Sequence, residues 1–181
     1  MPTAASTTTS QIQGSCLCAW ITFQISFPDD IQPHYPLQFT SAGKLRATNC
    51  HCSECRKFTG ALHGTWAHIP SEFIKIRDLA MNMGSYRLSA TSGRARKFCR
   101  VCGTSLFITP MGWDSPPAST EMTPENMFNR EFEGNPGLTI DVSVGAMDVA
   151  HATEWVEITQ HVFLNDSMDA KHAFSEPTLP K

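Results

Sequence analysis

No stretch of this 181-residue chain approaches the run of about 20 apolar residues that spans a bilayer. There is no basic excess either. Lys and Arg number 14 against 17 Asp and Glu, a net charge of −3, so nothing provides an electrostatic footprint for nucleic acid or for an anionic membrane. The opening MPTAASTTTSQIQ lacks the basic start and apolar core of a secretory signal, and it lacks the arginines of a transit sequence. The expectation is a disordered tail over residues 1–13 and a cytoplasmic protein. Internal repeats of roughly 20–50 residues are missing, and helical periodicity is nearly so. A stray cysteine is missing as well. The thiols fall at 16, 18, 50, 52, 55, 99 and 102, and each lies in a short cluster. In the reducing cytosol such clusters more often bind metal than form disulfides.

What is present is a globular composition. Hydrophobic residues make up 41% and charged residues 17%, enough for one domain with a real core. WITFQISF (20–27) alternates Ile21, Phe23, Ile25 and Phe27 with Thr22, Gln24 and Ser26, the period of a half-buried strand. GLTIDVSVG repeats the pattern through Ile140, Val142 and Val144. EWVEITQHVFL (154–164) is a further candidate, and shorter ones lie at 63–69, 72–76, 84–89 and 104–109. One turn or so of helix is expected at Ser53 to Thr59. The fold class is therefore all-β, a single domain of short strands over residues 14–170, followed by a tail at 171–181. Two segments, 28–44 and 110–137, read as long loops rich in Pro, Gly, Ser and Asn, of a length that tends to be functional or disordered.

Cysteine spacing carries the chemistry. FCRVCGTSLF holds Cys99 and Cys102 in the form of a zinc knuckle, with Gly103 free to leave the turn at positive φ. A knuckle is half of a four-thiolate site, and Cys16 with Cys18 (SCLC) offers the other half. The competing readings are two buried thiols at 16 and 18, and a redox C-x-x-C at 99–102, which lacks the βαβ surroundings such a motif keeps. Four thiolates close a zinc sphere, so this site reads as structural. Cys50, Cys52 and Cys55 (NCHCSEC) then form an incomplete sphere with an exchangeable fourth position, the pattern of catalytic zinc. His51 is either a further ligand or a residue lining the pocket. Arg56 and Lys57 directly follow the last ligand. They either offset its negative charge and meet a substrate carboxylate, or stand as solvated turn residues.

These motifs together resemble a known family. G-x-C-x-C at Gly14 to Cys18, C-H-C-x-x-C-R-K-x-x-G at Cys50 to Gly60 and F-C-x-x-C-G-x-x-L at Phe98 to Leu106 resemble the GFA family, the glutathione-dependent formaldehyde-activating enzymes, which also includes centromere protein V-like proteins. VGAMD (144–148) and HVFL (161–164) resemble its C-terminal part, so the likeness runs from about residue 14 to 165. The resemblance implies coiled antiparallel sheets of the β-tent type. It also implies structural zinc on Cys16, Cys18, Cys99 and Cys102, and catalytic zinc on Cys50, Cys52 and Cys55. The implied activity is that of a carbon–sulfur lyase joining glutathione, as co-substrate, to formaldehyde. The chain departs from the family pattern at Ala19, where Gly is usual, in the two long loops, and near His172 and Phe174, where a Trp is common.

The loops bring Tyr35, Phe39, Met111, Trp113, Met122, Met127 and Phe128, which either enclose a bulkier glutathione conjugate or another thiol adduct, or cap the core from outside. A non-catalytic zinc module for protein binding is the remaining alternative; an open three-cysteine site argues against it. The expected partners are thus a small-molecule thiol and an aldehyde or thiol conjugate.

Overall fold

The structure, a computed structural model, describes residues 10–28, 31, 34–88, 93–111, 113, 129–133 and 137–167. The expected tail residues 1–9 and 171–181, and most of the 110–137 segment, lie outside these.

Eleven strands and two short α-helices follow one another among the described residues: β1 (Ser10–Ser15), β2 (Ile21–Phe27), β3 (Leu45–Cys50), α1 (Ser53–Thr59), β4 (Gly64–Pro70), β5 (Ile74–Leu79), β6 (Met83–Tyr86), β7 (Arg94–Cys99), β8 (Ser105–Pro110), β9 (Asn129–Glu133), β10 (Thr139–Ser143), α2 (Val149–Trp155) and β11 (Val156–Val162). They form a four-stranded sheet, β1-β2-β5-β9, and a seven-stranded sheet, β11-β3-β4-β10-β8-β7-β6. The all-β expectation holds.

The main core lies between the two sheets. Period-two alternation sends Ile21, Phe23, Ile25 and Phe27 of β2 and Ile74 and Ile76 of β5 toward Leu45, Ala67, Ile69, Ile140, Val142 and Phe107 of the larger sheet. Phe23 and Phe107 meet edge to face across the gap, 5.4 Å between centroids. The opposite face of the larger sheet carries a smaller cluster of Cys50, Cys55, Trp66 and Ile108, joined by Phe58 of α1. Trp66 and Ala67 are sequence neighbours that point to opposite faces, so one strand serves both clusters.

Four expectations are corrected. Residues 10–13 belong to β1, because Ile12 fills the core and the strand pairs with β2 along its whole length. β9 lies inside the segment read as a loop at 110–137, held by five residue pairs with β5. The 154–164 stretch is not one strand. Ala-containing VAHATEW forms α2, and the β-branched residues begin the strand only at Val156. That helix is the crossover that lets β11 run parallel to β3, whereas the other described strand pairs are antiparallel as expected.

Phe39 and Trp113, read as either enclosing a substrate or capping the core, are core residues. Phe39 packs edge-on against Phe27 at 5.1 Å, and Trp113 is buried with the same cluster. Tyr35 packs on Phe73 and donates its hydroxyl to Glu72 at 2.6 Å. Met122, Met127 and Phe128 lie outside the described residues, and Met111 is exposed. Among the described residues, Phe39 and Trp113 therefore pack inward and Tyr35 is half-buried against Phe73, whereas Met111 and Leu37 stay exposed.

Candidate metal centres

The knuckle at the end of β7 is shaped by its own backbone. Gly103 adopts φ 76°, which lets its N–H reach the Cys99 carbonyl at 2.9 Å, while the Cys99 N–H donates to the Thr104 carbonyl at 3.0 Å. The turn after β1 is the second half. Ala19 donates to the Cys16 carbonyl at 2.9 Å with φ 59°, and the Ile21 N–H points at the Cys16 sulfur from 3.3 Å. A left-handed residue is required here, which is why Gly serves this position well and Ala adopts it under strain. The two turns meet. Cys16 and Cys18 sulfurs are 3.5 Å apart, Cys18 and Cys99 sulfurs 3.6 Å apart, and the four sulfurs with Cys102 lie within 4.8 Å of one another.

The three-thiol group is built on a helix start. Cys52 is the N-cap of α1 and its sulfur accepts the Cys55 N–H at 3.4 Å, a position where the helix favours negative charge. One turn later Cys55 faces the same way, and Cys50 arrives from the end of β3, its sulfur 3.4 Å from that of Cys52. Gly60 closes the helix at φ 66°, donating to the Arg56 carbonyl at 2.8 Å.

All seven cysteines are free thiols. Neighbouring sulfurs at 3.4–3.6 Å are far beyond the ~2.05 Å of a disulfide. They are close to the ~3.8 Å edge of a tetrahedron with Zn–S bonds of ~2.3 Å. Both groups can hold a metal ion, and the donor chemistry suits zinc.

Ionisation points the same way. Burial pushes the Cys16 and Cys50 thiols up. Burial, reinforced by Cys50, drives Cys55 far above the usual thiol range, and burial takes Cys99 up to about 12. Cys102 differs. Burial opposes its ionisation, but hydrogen bonds from the Thr104 side chain and backbone and from Cys18 bring it down to about 5; its sulfur is 3.1 Å from Thr104 Oγ1. Once one thiolate forms, its neighbours resist, so full ionisation of either group needs a cation, and loading it releases protons.

The three residues expected to contact substrate fall in different places. His51 is buried, 2% exposed. Its Nε2 is 3.2 Å from Nδ1 of His161, and its ring lies 5.2 Å from that of His63. Arg56 donates from Nε to the His51 carbonyl at 3.1 Å, which braces the loop between the thiols. Lys57 is exposed and has no acidic or hydrogen-bonding partner among the described residues. Sequence reasoning missed His161 and His63, since pairing with β11 brings His161 in from 110 residues away. It also missed a polar row on the same sheet face as Cys50. Thr48 Oγ1 is 3.0 Å from His68 Nε2, His68 Nδ1 is 2.7 Å from Asp141 Oδ1, and Arg94 donates to Asp141 Oδ2 at 2.6 Å. The row fastens β3, β4, β10 and β7 together.

A family model described as "Glutathione-dependent formaldehyde-activating enzyme" matches residues 11–123, which include all seven cysteines. The chain belongs to that family. The match ends before β9, so His161, which β11 places beside His51 in this glutathione-dependent formaldehyde-activating family member, lies beyond it. A crystal structure of a Rhodobacter sphaeroides protein aligns with 82% of this chain and 98% of its own, at 15% identity and a TM-score of 0.47. No curated protein matches.

Proposed function

We propose that this chain is a zinc-dependent carbon–sulfur lyase that makes or breaks the C–S bond between glutathione and an aldehyde, formaldehyde foremost. The observation that carries the reading is the division of seven thiols into a four-membered group and a separate three-membered one, in a chain of this family. Cys16, Cys18, Cys99 and Cys102 would close one zinc sphere and pin the β1–β2 turn to the β7–β8 turn. Cys50, Cys52 and Cys55 would hold the other. Zinc held by three thiolates supplies an open position that keeps a substrate thiol ionised near neutral pH or polarises an aldehyde oxygen.

The protein's own part is placement. α1 presents Cys52 and Cys55 from one rigid turn, and Arg56 fixes the intervening loop through the His51 carbonyl. Trp66, Phe58 and Ile108 wall the group on its inner side and keep water from it. In the reaction, sulfur bonds to the carbonyl carbon while one proton passes from sulfur to oxygen; no oxidant or reductant is consumed.

The test is metal analysis of the purified protein, followed by exchange NMR with glutathione and ¹³C-formaldehyde. Two zinc ions per chain and accelerated formation of S-(hydroxymethyl)glutathione are expected. Two bound metals with no acceleration over buffer, and none with other aldehydes, would overturn the lyase reading.

A further inference from the structure

Trp66 carries a buried N–H with nothing to donate to. The side chain is 2% exposed, and its Nε1 has no hydrogen-bond partner. A donor taken out of water and left unmade destabilises the fold, so few survive without a reason. The indole packs in the cluster that holds Cys50 and Cys55, with Cys52 at its border.

Its position is tightly set. Phe58 of α1 stacks on the indole, 6.0 Å between centroids and 12° between planes. Phe58 is itself held, because Ser105 of β8 donates to its carbonyl at 2.6 Å. Gly64, two residues earlier on the same face of β4, leaves the space that the indole nitrogen fills. A Cβ there would stand 2.5 Å from Nε1. Gly64 is also the cross-strand partner of Cys50, and side chains so paired are close neighbours on a sheet face. The indole N–H thus lies over the glycine that faces Cys50.

The cluster restricts what this N–H can meet. Besides the thiols and Trp66 it consists of Ile108, Phe58 and Val162, which have no side-chain acceptor. Sulfur is the one acceptor its side chains hold. A protonated thiol accepts weakly, whereas a thiolate accepts as a charged group does. Three thiolates also exceed the charge of a divalent cation by one, beside apolar rings that cannot solvate the excess. The donor is therefore idle beside free thiols and useful beside thiolates on a metal.

We infer that Trp66 is a positioning residue of the metal centre, its Nε1–H donating to the Cys50 thiolate when the three-thiol group is loaded. Such an outer hydrogen bond fixes the sulfur's direction and withdraws charge from it. Gly64 is part of the device, since any larger residue would displace the donor. The inference rests on the metal of the reading above and not on its substrate.

The test uses full-length protein with ¹⁵N-labelled tryptophan and ¹¹³Cd in place of zinc. Of the four tryptophan residues, Trp66 is assigned by the indole resonance that Trp66→Phe removes. When the three-thiol group fills, with the four-thiol group already loaded, that N–H proton should move downfield and couple to ¹¹³Cd through the sulfur. Trp66→Phe keeps an aromatic ring against Phe58 and lacks the donor. Its three-thiol group should lose about tenfold or more in metal affinity, measured by chelator competition, with the four-thiol group unchanged. Gly64→Ala, which retains the indole but shifts it, should abolish the coupling. An indole resonance indifferent to the three-thiol metal, or equal affinity in Trp66→Phe, would overturn the inference. Should Trp66→Phe fail to fold, Gly64→Ala supplies the assignment and the wild-type coupling decides. An active enzyme with an indifferent indole would strike this inference and leave the lyase reading, and an inert protein with the coupling would do the reverse.

Discussion

The two thiol groups are made by different means. The four-thiol group joins two turns that are distant in the chain, 16–18 and 99–102, and each turn is a backbone device with a residue at positive φ. The three-thiol group comes from one segment of six residues on a strand end and a helix start. A site that ties remote segments together contributes to the fold as a cross-link does, whereas a site contained in one segment leaves the rest of the fold to stand without it. The comparison teaches where loss of metal should cost structure and where it should cost chemistry alone.

The largest effect expected from that contrast is on Cys99→Ser. Structural zinc contributes about 10–16 kcal/mol in zinc-finger peptides, more than the typical stability of a domain. The variant should be insoluble or should melt tens of degrees lower. Circular dichroism melting with metal analysis checks this, and a folded variant with both metals and an unchanged Tm would erase the distinction.

Cys52→Ser should behave differently. Serine is itself a good N-cap, so α1 keeps its start while the metal loses a thiolate. Turnover should fall at least about a hundredfold, with one zinc retained and a melting curve within a few degrees of wild type. Full turnover in this variant would remove the catalytic role of residues 50–55.

A smaller contrast lies in exchange with a chelator. The four-thiol group has no open position, so EDTA should strip the three-thiol group first and leave the far-UV spectrum intact. Simultaneous loss of both metals and of the spectrum would show the two groups to be equally structural.

The smallest effect concerns Ala19, which holds φ 59° in the turn beside Cys18. Ala19→Gly removes a left-handed strain of roughly 1 kcal/mol, partly offset by the freer unfolded chain. For a chain of this size that is a rise of about 2–4 °C in Tm, with turnover unchanged. A fall in Tm would mean that the turn is not strained.

Much of this was legible in the residues. The alternation of β2 and β10, the short helix at Ser53 to Thr59 and the division of the thiols rest on periods of two and of 3.6, and on ligand spacing, all local signals. What escaped is non-local. β7 reads as RARKFC, too basic for a strand, until Arg96 is seen paired with Glu54 of α1 and Lys97 donating to Ser85 at 3.0 Å. β1 has one inward apolar residue, Ile12, and its strand character comes from its neighbour. Partners for His51 depended on the parallel placement of β11, which no spacing near His51 encodes.

That placement also sets an order on synthesis. His51 and its neighbouring thiols emerge early, but the strand that carries His161 follows 110 residues later. At a translation rate of about 5–20 residues per second, the interval is roughly 5–20 s. During it the three cysteines exist on the nascent chain without their outer strand, open to metal delivery and to oxidation alike. A shortage of metal or an excess of peroxide would thus act on these thiols during synthesis, before β11 has been made.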